Sequence, residues 1–296
     1  MTSGLFFKSF AKINWLLRVL GKRDDNFHEI CTVFQTVSVH DTLYFEEADE
    51  VGLTCDDPTI PTDEANLIVR SALKLQERTN TKQGAAIHLE KRIPAPGGLG
   101  GGSSNAAVAL IGLNRLWDLG LSIEELCSIG TEIGSDVVFF FAGGTAIGTE
   151  RGDVIERVAD VEEEFMIIVT PKVSVSTAAA FAGLSAPALT KSEPESILTV
   201  CRNAARSLDP RDSELKNDFE RSIVSAYPEV ARLKEILLEL GAVKAAMSGS
   251  GASIFAIFDN EETRQTALIA LDQESSWRKF AVSTVSRAEY RESLGI

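Results

Sequence analysis

The residues with the clearest chemical potential form a glycine-rich stretch that runs directly into a predicted helix. Residues 97–102 contain five glycines, followed by Ser103, Ser104 and Asn105. Glycine lets backbone N–H groups approach a ligand closely, and the first turn of a helix leaves such groups unpaired. The partial positive charge of a helix N-terminus also favours anions. The stretch therefore predicts a phosphate-binding loop, with the three polar side chains as helix-capping groups.

Two well-known glycine patterns do not describe this loop. A Walker loop needs lysine before the hydroxyl residue, and this loop has none. A dinucleotide fingerprint that began with Gly98 and Gly100 would need its third glycine at the position of Ser103. A flexible linker is the alternative. Apolar residues recur at helical spacing after the loop: Ala106, Leu110, Leu113 and Trp117. That periodicity favours phosphate binding over a linker.

Two further positions carry side chains suited to catalysis. Residues 10–19 alternate as a strand does, which places Lys12 and Asn14 on one face, where they can reach the same ligand. A solvated sheet face is the alternative, since lysine is mostly exposed. Asp136 follows Gly134 and precedes an apolar run, and it serves either as a base or as a helix cap or turn former.

Aromatic and small residues mark two more candidate ligand contacts. Phe27 and His28 follow a polar turn and offer a stacking ring beside a partner for a base edge, although a lone loop histidine is usually structural. Residues 248–251 form a second small-residue turn before a strand-like segment. Such a turn can approach a ligand or another backbone closely.

Length and composition bound the class of protein. The chain has 296 residues, enough for two domains, with 44% hydrophobic and 24% charged residues. A net charge of −14 argues against a nucleic-acid-binding surface, so any phosphate is held locally. The scattered cysteines form no CxxC pair, and neither a signal-length apolar run nor a membrane span is present. A cytoplasmic setting without nucleic-acid or membrane partners is expected, and the oligomeric state stays open.

Periodicity and capping residues predict a mixed α+β organisation. Asn66 caps a predicted helix to about residue 77, and Ser122 with Glu125 forms a capping box for another. A buried strand at residues 165–169 opens a second domain. The later elements read β-α-β-α-β, with these predicted segments: helix 227–240, strand 252–258, helix 260–271 and strand 281–285. A helix-backed α+β sandwich is the expected architecture.

The combination of segments resembles a known enzyme family. Residues 9–14, 94–107, 134–137 and 248–252 resemble the three motifs of the GHMP small-molecule kinases, in the expected order. The resemblance implies a two-domain α+β kinase fold. Residues 1–161 would form an N-terminal ribosomal-protein-S5-domain-2-like domain that carries the glycine-rich ATP loop. Residues 162–296 would form a C-terminal ferredoxin-like α/β sandwich.

The same resemblance implies the nucleotide site. By position, Asp136 matches the catalytic base of these kinases and Lys12 the lysine beside it. ATP would lie against the loop, with Mg²⁺ bridging its phosphate oxygens; Ser103 and Ser104 are alternative partners for the metal, and the metal ligands stay open. The implied ATP-binding residues are Pro94, Ala95, Pro96, Gly97, Gly98, Leu99, Gly100, Gly101, Gly102, Ser103, Ser104 and Asn66.

Residues 23–29, 66–70 and 97–107 resemble the members of the family that act on a cytidylyl substrate. This implies transfer of the ATP γ-phosphoryl group to a hydroxyl of the methylerythritol part of a cytidine diphosphate ester, in non-mevalonate isoprenoid synthesis. The implied substrate-binding residues are Asn14, Phe27, His28, Thr177 and Phe181. A mevalonate- or homoserine-type kinase, or a non-catalytic nucleotide-binding protein on the same scaffold, is the alternative.

The chain departs from the family pattern at several positions. Asn26 stands where glycine is usual, and Asn adopts a positive φ more readily than most residues, which predicts that the turn is kept. Pro96 removes one backbone donor from the outer edge of the loop and fixes its φ. Val138 replaces a proline after Asp136. None of these departures removes a proposed catalytic side chain.

Overall fold

The computed structural model describes residues 4–184 and 194–296, and the strands within these ranges form two sheets. The strands of the first sheet are β1 (Leu5–Lys22), β2 (His28–Ala48), β3 (Val51–Cys55), β4 (Gly84–Glu90), β5 (Thr145–Glu150) and β6 (Val154–Arg157). They are ordered β3-β4-β2-β5-β6, and β1 pairs antiparallel with β2. The long β1 and β2 strands thus form the centre of this lobe.

The helices of the first lobe complete its core. They are α1 (Leu67–Thr79), α2 (Gly101–Leu116), α3 (Ile123–Ile133) and α4 (Phe139–Ala142). Asn66 caps α1 by accepting from the Ile68 N–H at 2.9 Å, and Ser122 and Glu125 form the predicted capping box at the start of α3. Both helix starts are confirmed. The buried faces of these helices join Phe45 and its neighbours in one hydrophobic core.

The second sheet contains β7 (Met166–Thr170), β8 (Lys244–Met247), β9 (Ile254–Ile257) and β10 (Arg278–Val282). Its order is β10-β7-β9-β8 with antiparallel neighbours, which is the strand order of a ferredoxin-like sandwich. The accompanying helices are α5 (Thr177–Ala182), α6 (Pro194–Arg206), α7 (Glu220–Ala226), α8 (Pro228–Glu239), α9 (Glu261–Ala270) and α10 (Arg287–Leu294). Across the described residues no helix combines the length and apolar character needed to span a bilayer.

Two details of the predicted C-terminal organisation were wrong. The β-α-β-α-β interpretation omitted β8, whose four residues are too short for a clear period-two pattern, so the observed order is β-α-β-β-α-β. The last strand is Arg278–Val282, earlier than the predicted residues 281–285. The sequence also predicts a loop at residues 187–195; residues 187–193 lie outside the described residues, and residues 194–195 begin α6.

A layer of apolar side chains joins the two sheets. Ile13 and Trp15 of β1 and Ile168 and Phe255 of the second sheet are buried in one cluster, and the Trp15 and Phe255 rings meet edge to face with centroids 5.2 Å apart. Because side chains alternate along a strand, the opposite face of β1 presents Lys12 and Asn14. The packing between the lobes therefore directs these two polar residues away from the joining layer.

The C-terminal helix returns to the first lobe. Tyr290 of α10 is fully buried in the first core, and its hydroxyl donates to the Phe140 carbonyl at 2.5 Å. Burial raises the pKa of this tyrosine well above its usual range. The division of the chain between residues 161 and 162 stays a prediction, and α10 ties the segment beyond it to the first core.

Candidate active site

A cavity of about 700 Å³ lies where β1, the glycine loop and the small-residue turn after β8 meet. It gathers most of the predicted site residues from distant parts of the chain. Those that line it are Lys12, Asn14, Phe27, His28, Pro94, Ala95, Pro96, Gly97, Gly98, Leu99, Gly100, Gly101, Gly102, Ser103, Asp136, Thr177 and Phe181. Asn66 and Ser104 do not line it. One cavity therefore holds both the predicted phosphate loop and the predicted catalytic pair.

Backbone contacts fix the position of the glycine loop. The Lys12 N–H donates to the Leu99 carbonyl at 2.9 Å, and the Ser248 hydroxyl donates to the Gly98 carbonyl at 3.0 Å. Gly98 has a φ of +72°, and a Cβ there would lie 2.2 Å from the Ser248 carbonyl oxygen. Only glycine allows this approach. The loop is thus held between β1 and the turn after β8.

The start of α2 differs from the predicted capping. The N-cap residue is Gly100, with a φ of +70° and no side-chain capping bond, so the expected capping role of Ser103, Ser104 and Asn105 was wrong. The helix begins earlier than expected because glycine adopts this φ without strain. Ser104 is buried and accepts a hydrogen bond from the Ser9 hydroxyl at 2.7 Å, whereas Ser103 faces the cavity. The first N–H groups of α2 therefore remain for a ligand.

A buried carboxylate anchors both ends of the loop. Asp41 accepts from the N–H groups of Arg92 and Ile93 at 2.7 Å each, from the Lys91 ammonium at 2.8 Å and from the Asn105 amide at 3.0 Å. Burial lowers the pKa of Lys91, and the charge of Asp41 opposes that shift. Residues 92–93 precede the loop and Asn105 lies in α2, so one side chain sets the separation of the two loop ends.

The predicted catalytic residues meet at the inner end of the cavity. The Lys12 ammonium lies 2.7 Å from the Asn14 amide oxygen and 3.5 Å from an Asp136 carboxylate oxygen. Lys12 and Asn14 are 3% and 2% exposed, so the solvated-face alternative was wrong for them. Burial lowers the pKa of Lys12, while the Asp136 charge and hydrogen bond oppose that shift. The Asp136 side chain is 36% exposed and open to the cavity.

Aromatic rings line the other end of the cavity. His28 stacks on Phe181 with ring centroids 4.6 Å apart, and Phe181 meets the Phe219 ring edge to face at 4.8 Å. Burial, with a smaller contribution from Lys22, lowers the pKa of His28. Phe27 is 51% exposed. His28, expected as a partner for a base edge, thus stacks on Phe181.

The turn before these rings has the predicted conformation. Asn26 adopts a φ of 68°, which confirms that asparagine keeps the turn at a position where the family usually has glycine. On the opposite side, the Thr177 and Ser250 hydroxyls are 3.2 Å apart, which connects the start of α5 to the turn after β8. Asn26, Thr177 and Ser250 all line the cavity.

Some site residues were absent from the prediction. Arg151 lines the cavity with its guanidinium 5.1 Å from the centre of the Phe27 ring and ion-paired with Asp153. Asn217 donates from its amide to the Met247 and Gly249 carbonyls at 2.8 Å each, which fixes the turn after β8. Neither belongs to a motif with a recognisable spacing, so a single sequence carries no signal for them.

Asn66 caps α1 as predicted and lies outside the cavity lining. Its amide oxygen accepts from the Ile68 N–H and its amide nitrogen donates to the Pro61 carbonyl at 2.7 Å. Both polar atoms thus serve the start of α1, and the neighbouring Leu67 lines the cavity instead. The predicted contact of Asn66 with ATP stays a prediction.

Comparison with known proteins decides the family. The family model described as GHMP kinases N terminal domain matches residues 66–144, and the one described as GHMP kinases C terminal matches residues 188–275. The 4-diphosphocytidyl-2-C-methyl-D-erythritol kinase of Thermodesulfovibrio yellowstonii is 39% identical over 264 residues, which cover 88% of this chain and 92% of that protein. The chain belongs to the GHMP kinase family.

Other relatives of this GHMP kinase have the same name as the Thermodesulfovibrio yellowstonii protein. The 4-diphosphocytidyl-2-C-methyl-D-erythritol kinase of Gloeobacter violaceus is 37% identical over 94% of this chain and 93% of its own length. A crystal structure of 4-(cytidine 5'-diphospho)-2C-methyl-D-erythritol kinase matches with a TM-score of 0.75 and 28% identity, covering 95% of this chain and 99% of that one. The two sheets and the lobes described above are therefore those of the GHMP kinase fold.

The close approach of Gly98 gives a first testable prediction for this GHMP kinase. Gly98→Ala places a methyl group against the Ser248 carbonyl at a φ that costs a non-glycine residue about 1–3 kcal/mol. We expect the displaced loop to raise the KM for ATP roughly tenfold or more. Steady-state kinetics with varied ATP measures this effect.

Gly52→Ala is the control for this variant, because a Cβ at Gly52 meets no atom within 4 Å and the residue lies on β3, outside the cavity lining. Its KM for ATP is expected to equal that of the native enzyme. A native KM in Gly98→Ala would contradict the placement of the phosphates against this loop.

Proposed function

We propose that the chain phosphorylates a hydroxyl of the methylerythritol moiety of 4-diphosphocytidyl-2-C-methyl-D-erythritol, with ATP as the phosphoryl donor, in the cytoplasm as part of non-mevalonate isoprenoid precursor synthesis. The observation that carries the proposal is a single cavity with an ammonium–carboxylate pair at one end and stacked aromatic rings at the other. The relatives named above support the same substrate. The alternatives are a mevalonate- or homoserine-type kinase and a non-catalytic nucleotide-binding protein.

The glycine loop fits the phosphates of ATP. Gly100 leaves the N-terminus of α2 without a side-chain cap, and Gly98 places backbone where a Cβ has no room. Unpaired N–H groups at a helix N-terminus, together with its partial positive charge, bind anionic oxygens. Pro96 lacks an N–H group, so the donors proposed for the phosphates come from residues 97–103.

The same end of the cavity fits Mg²⁺ held mainly by phosphate oxygens. Among the described residues no group of three or more His, Cys, Asp and Glu side chains is placed to hold a metal. Mg²⁺ in kinases commonly takes only one or two protein oxygens, with phosphates and water as the other ligands. We propose Ser103 for this role, because Ser104 is hydrogen-bonded to Ser9. When bound, Mg²⁺ neutralises charge on the β- and γ-phosphate oxygens.

The positions of Asp136 and Lys12 support the proposed catalytic step. The substrate oxygen forms a bond to the γ-phosphorus while the bond from that phosphorus to the bridging oxygen of ADP breaks. Asp136 accepts the hydroxyl proton, and the Lys12 ammonium, 3.5 Å from it, stabilises negative charge on the transferring oxygens. Because Lys12 is held by Asn14 and by the Leu99 contact, it requires little reorganisation.

The remaining part of the substrate suits the rest of the cavity. Phe27, His28 and Phe181 offer ring faces and a ring nitrogen for the cytosine. Among the described residues, the lysine and arginine side chains that line the cavity are Lys12 and Arg151. Arg151 lies beside Phe27 and one residue before Gly152, which borders Asp136. We therefore assign the diphosphate, which links cytidine to methylerythritol, to the Arg151 side of the cavity.

A parallel substrate assay tests the proposed function. We expect ADP formation from ATP with the cytidylyl substrate and none above background with mevalonate or homoserine, because only the first has a base for the aromatic end. Turnover with mevalonate or homoserine alone would reject the substrate assignment. Absence of turnover with all three, while ATP still binds, would favour the non-catalytic alternative.

Phe181→Ala links this assay to the site. Loss of the ring is expected to raise the KM for the cytidylyl substrate roughly 5- to 150-fold, as removal of a base-stacking partner does, with the KM for ATP unchanged. Phe6→Ala is the matched control, since Phe6 is 66% exposed and lies outside the cavity lining. Equal effects of the two variants would place the base elsewhere.

A further inference from the structure

A buried hydrogen-bond chain extends from Lys12 to a residue outside the cavity lining. The Lys12 ammonium donates to the Asn14 amide oxygen at 2.7 Å, and the Asn14 amide nitrogen donates to the Thr32 hydroxyl oxygen at 2.7 Å. The Thr32 hydroxyl in turn donates to the Leu16 carbonyl at 2.7 Å. Thr32 is fully buried, and Asn14 and Lys12 are nearly so. Solvent therefore has little access to these polar atoms.

The hydrogen bonds from Lys12 to Leu16 all run in one donor-to-acceptor direction. An ammonium group donates and does not accept, so Lys12 requires an oxygen from Asn14. An amide that presents its oxygen to Lys12 must place its NH₂ group on the other side, where Thr32 accepts it. If the amide turned over, it would bring NH₂ against NH₃⁺. The amide oxygen would then face the Thr32 hydroxyl oxygen, whose single proton is donated to the Leu16 carbonyl. Buried donors without acceptors are costly, so the hydroxyl acceptor selects one orientation.

The β1 backbone is irregular at the residues that form these hydrogen bonds. The pairing of β1 with β2 shifts register between Asn14 and Leu16, with Asn14 opposite Phe34 and Leu16 opposite Val33. Such irregularities redirect side chains next to functional sites. Here the irregular segment contains both Asn14, which donates to Thr32, and Leu16, which accepts from Thr32. The register shift and the hydrogen-bond directions are independent observations of the same arrangement.

Apart from Asp136, the groups that approach the Lys12 ammonium are apolar or uncharged. Asp136 is the titratable group that faces its ammonium within the described part of the chain. From β2 the Phe34 ring lies 5.6 Å away, and Gly100 and Gly249 approach from the two turns. The charged form of Lys12 therefore depends on two acceptors, the Asp136 carboxylate and the Asn14 oxygen.

We propose that Thr32 is a positioning residue that fixes the Asn14 amide with its oxygen toward Lys12, and so keeps the ammonium in place beside Asp136. Thr32 does not line the cavity, so it acts through Asn14 and not on the substrate itself. The catalytic consequence rests on the proposed function. The orientation of the amide and its effect on Lys12 do not depend on the substrate.

Thr32→Val and Thr32→Ser separate the hydroxyl from the shape of the side chain. Valine keeps the volume and removes the acceptor, and serine keeps the acceptor and loses a methyl group. The Lys12 ammonium can be titrated directly in the free enzyme by NMR with lysine labelled at Cε, its signal assigned by its absence in Lys12→Met. We expect the pKa of Lys12 in Thr32→Val to lie below the native one by about 1, and that in Thr32→Ser to be native.

Kinetics give a second readout. For Thr32→Val we expect kcat to fall roughly tenfold, with the KM for ATP little changed and the alkaline loss of kcat shifted to lower pH. Thr32→Ser is expected to retain native values. Thermal unfolding is followed in parallel, and if Thr32→Val does not fold, Thr32→Ala provides the same loss of the acceptor for the Lys12 titration.

The outcomes distinguish this proposal from the proposed function. A native Lys12 titration in folded Thr32→Val or Thr32→Ala would overturn the positioning role even if the substrate assay succeeds. A shifted titration together with failure of the cytidylyl substrate would keep the positioning role and reject the substrate. Loss of activity in Thr32→Ser equal to that in Thr32→Val would also overturn the proposal, because the acceptor is then not the cause.

Discussion

Asp136→Asn is expected to bind ATP normally and to turn over roughly 10²- to 10⁴-fold more slowly than the native enzyme. The amide has nearly the shape of the carboxylate, so the cavity keeps its form, but it does not accept the hydroxyl proton. Asp136 is open to the cavity and lies 3.5 Å from the Lys12 ammonium, so this carboxylate is placed both to contact the acceptor hydroxyl and to be supported by a cation.

Calorimetric titration with an unreactive ATP analogue and steady-state kinetics measure the two parts of this prediction. Asp49→Asn is the matched control, because Asp49 is exposed and lies outside the cavity lining. Its kcat and its affinity for the analogue are expected to be native. If Asp136→Asn kept more than about a tenth of the native kcat, where loss of a base costs at least 10²-fold, Asp136 would not be the base.

Local patterns predicted much of the fold because they depend on neighbours in sequence. The cap at Asn66 and the box at Ser122 and Glu125 each require only three or four consecutive residues, and both helices begin as expected. The shared face of Lys12 and Asn14 follows from strand alternation. At the start of α2, both the glycines and the polar residues that follow them can cap the helix. The positive φ of Gly100 makes it the cap, and a single sequence does not show that φ.

The meeting of distant residues could not be derived from the sequence by physical reasoning alone. Lys12 and Asp136 come from β1 and from the short turn before α4, and their 3.5 Å separation depends on how the helices pack on the first sheet. Their pairing was expected only through the family resemblance. Asp41 and Thr32 carried no motif at all, because a single buried polar residue within a strand pattern resembles an ordinary exception to alternation.

Burial was the property that the sequence predicted least well. Alternation puts Lys12 on a face but does not say whether another element covers that face. Here the glycine loop covers it so closely that a Cβ added at Gly100 would lie only 2.9 Å from the Lys12 Cγ atom. Because the loop buries Lys12, the pKa of this lysine is lowered, and the pH dependence expected for kcat follows from that shift.

Lys12→Met is expected to lower kcat roughly 10²- to 10³-fold without destabilising the protein. Methionine keeps the aliphatic stem that packs under Gly100 and removes only the ammonium. Removal of one partner usually leaves an uncompensated buried charge, but Asp136 is 36% exposed and remains in contact with solvent. We therefore expect thermal unfolding at the native temperature or above it, combined with a loss of activity.

The pH dependence of kcat distinguishes a catalytic ammonium from a structural one. The charged form of Lys12 is the active one, and its pKa lies below the ordinary 10.5, so native kcat is expected to fall as pH rises through that lowered value. Lys12→Met has no group to lose a proton there, so its residual kcat is expected to lack this alkaline loss. If the variant kept the native alkaline limb, another group would be responsible for it, and the charge of Lys12 would have no part in the phosphoryl transfer.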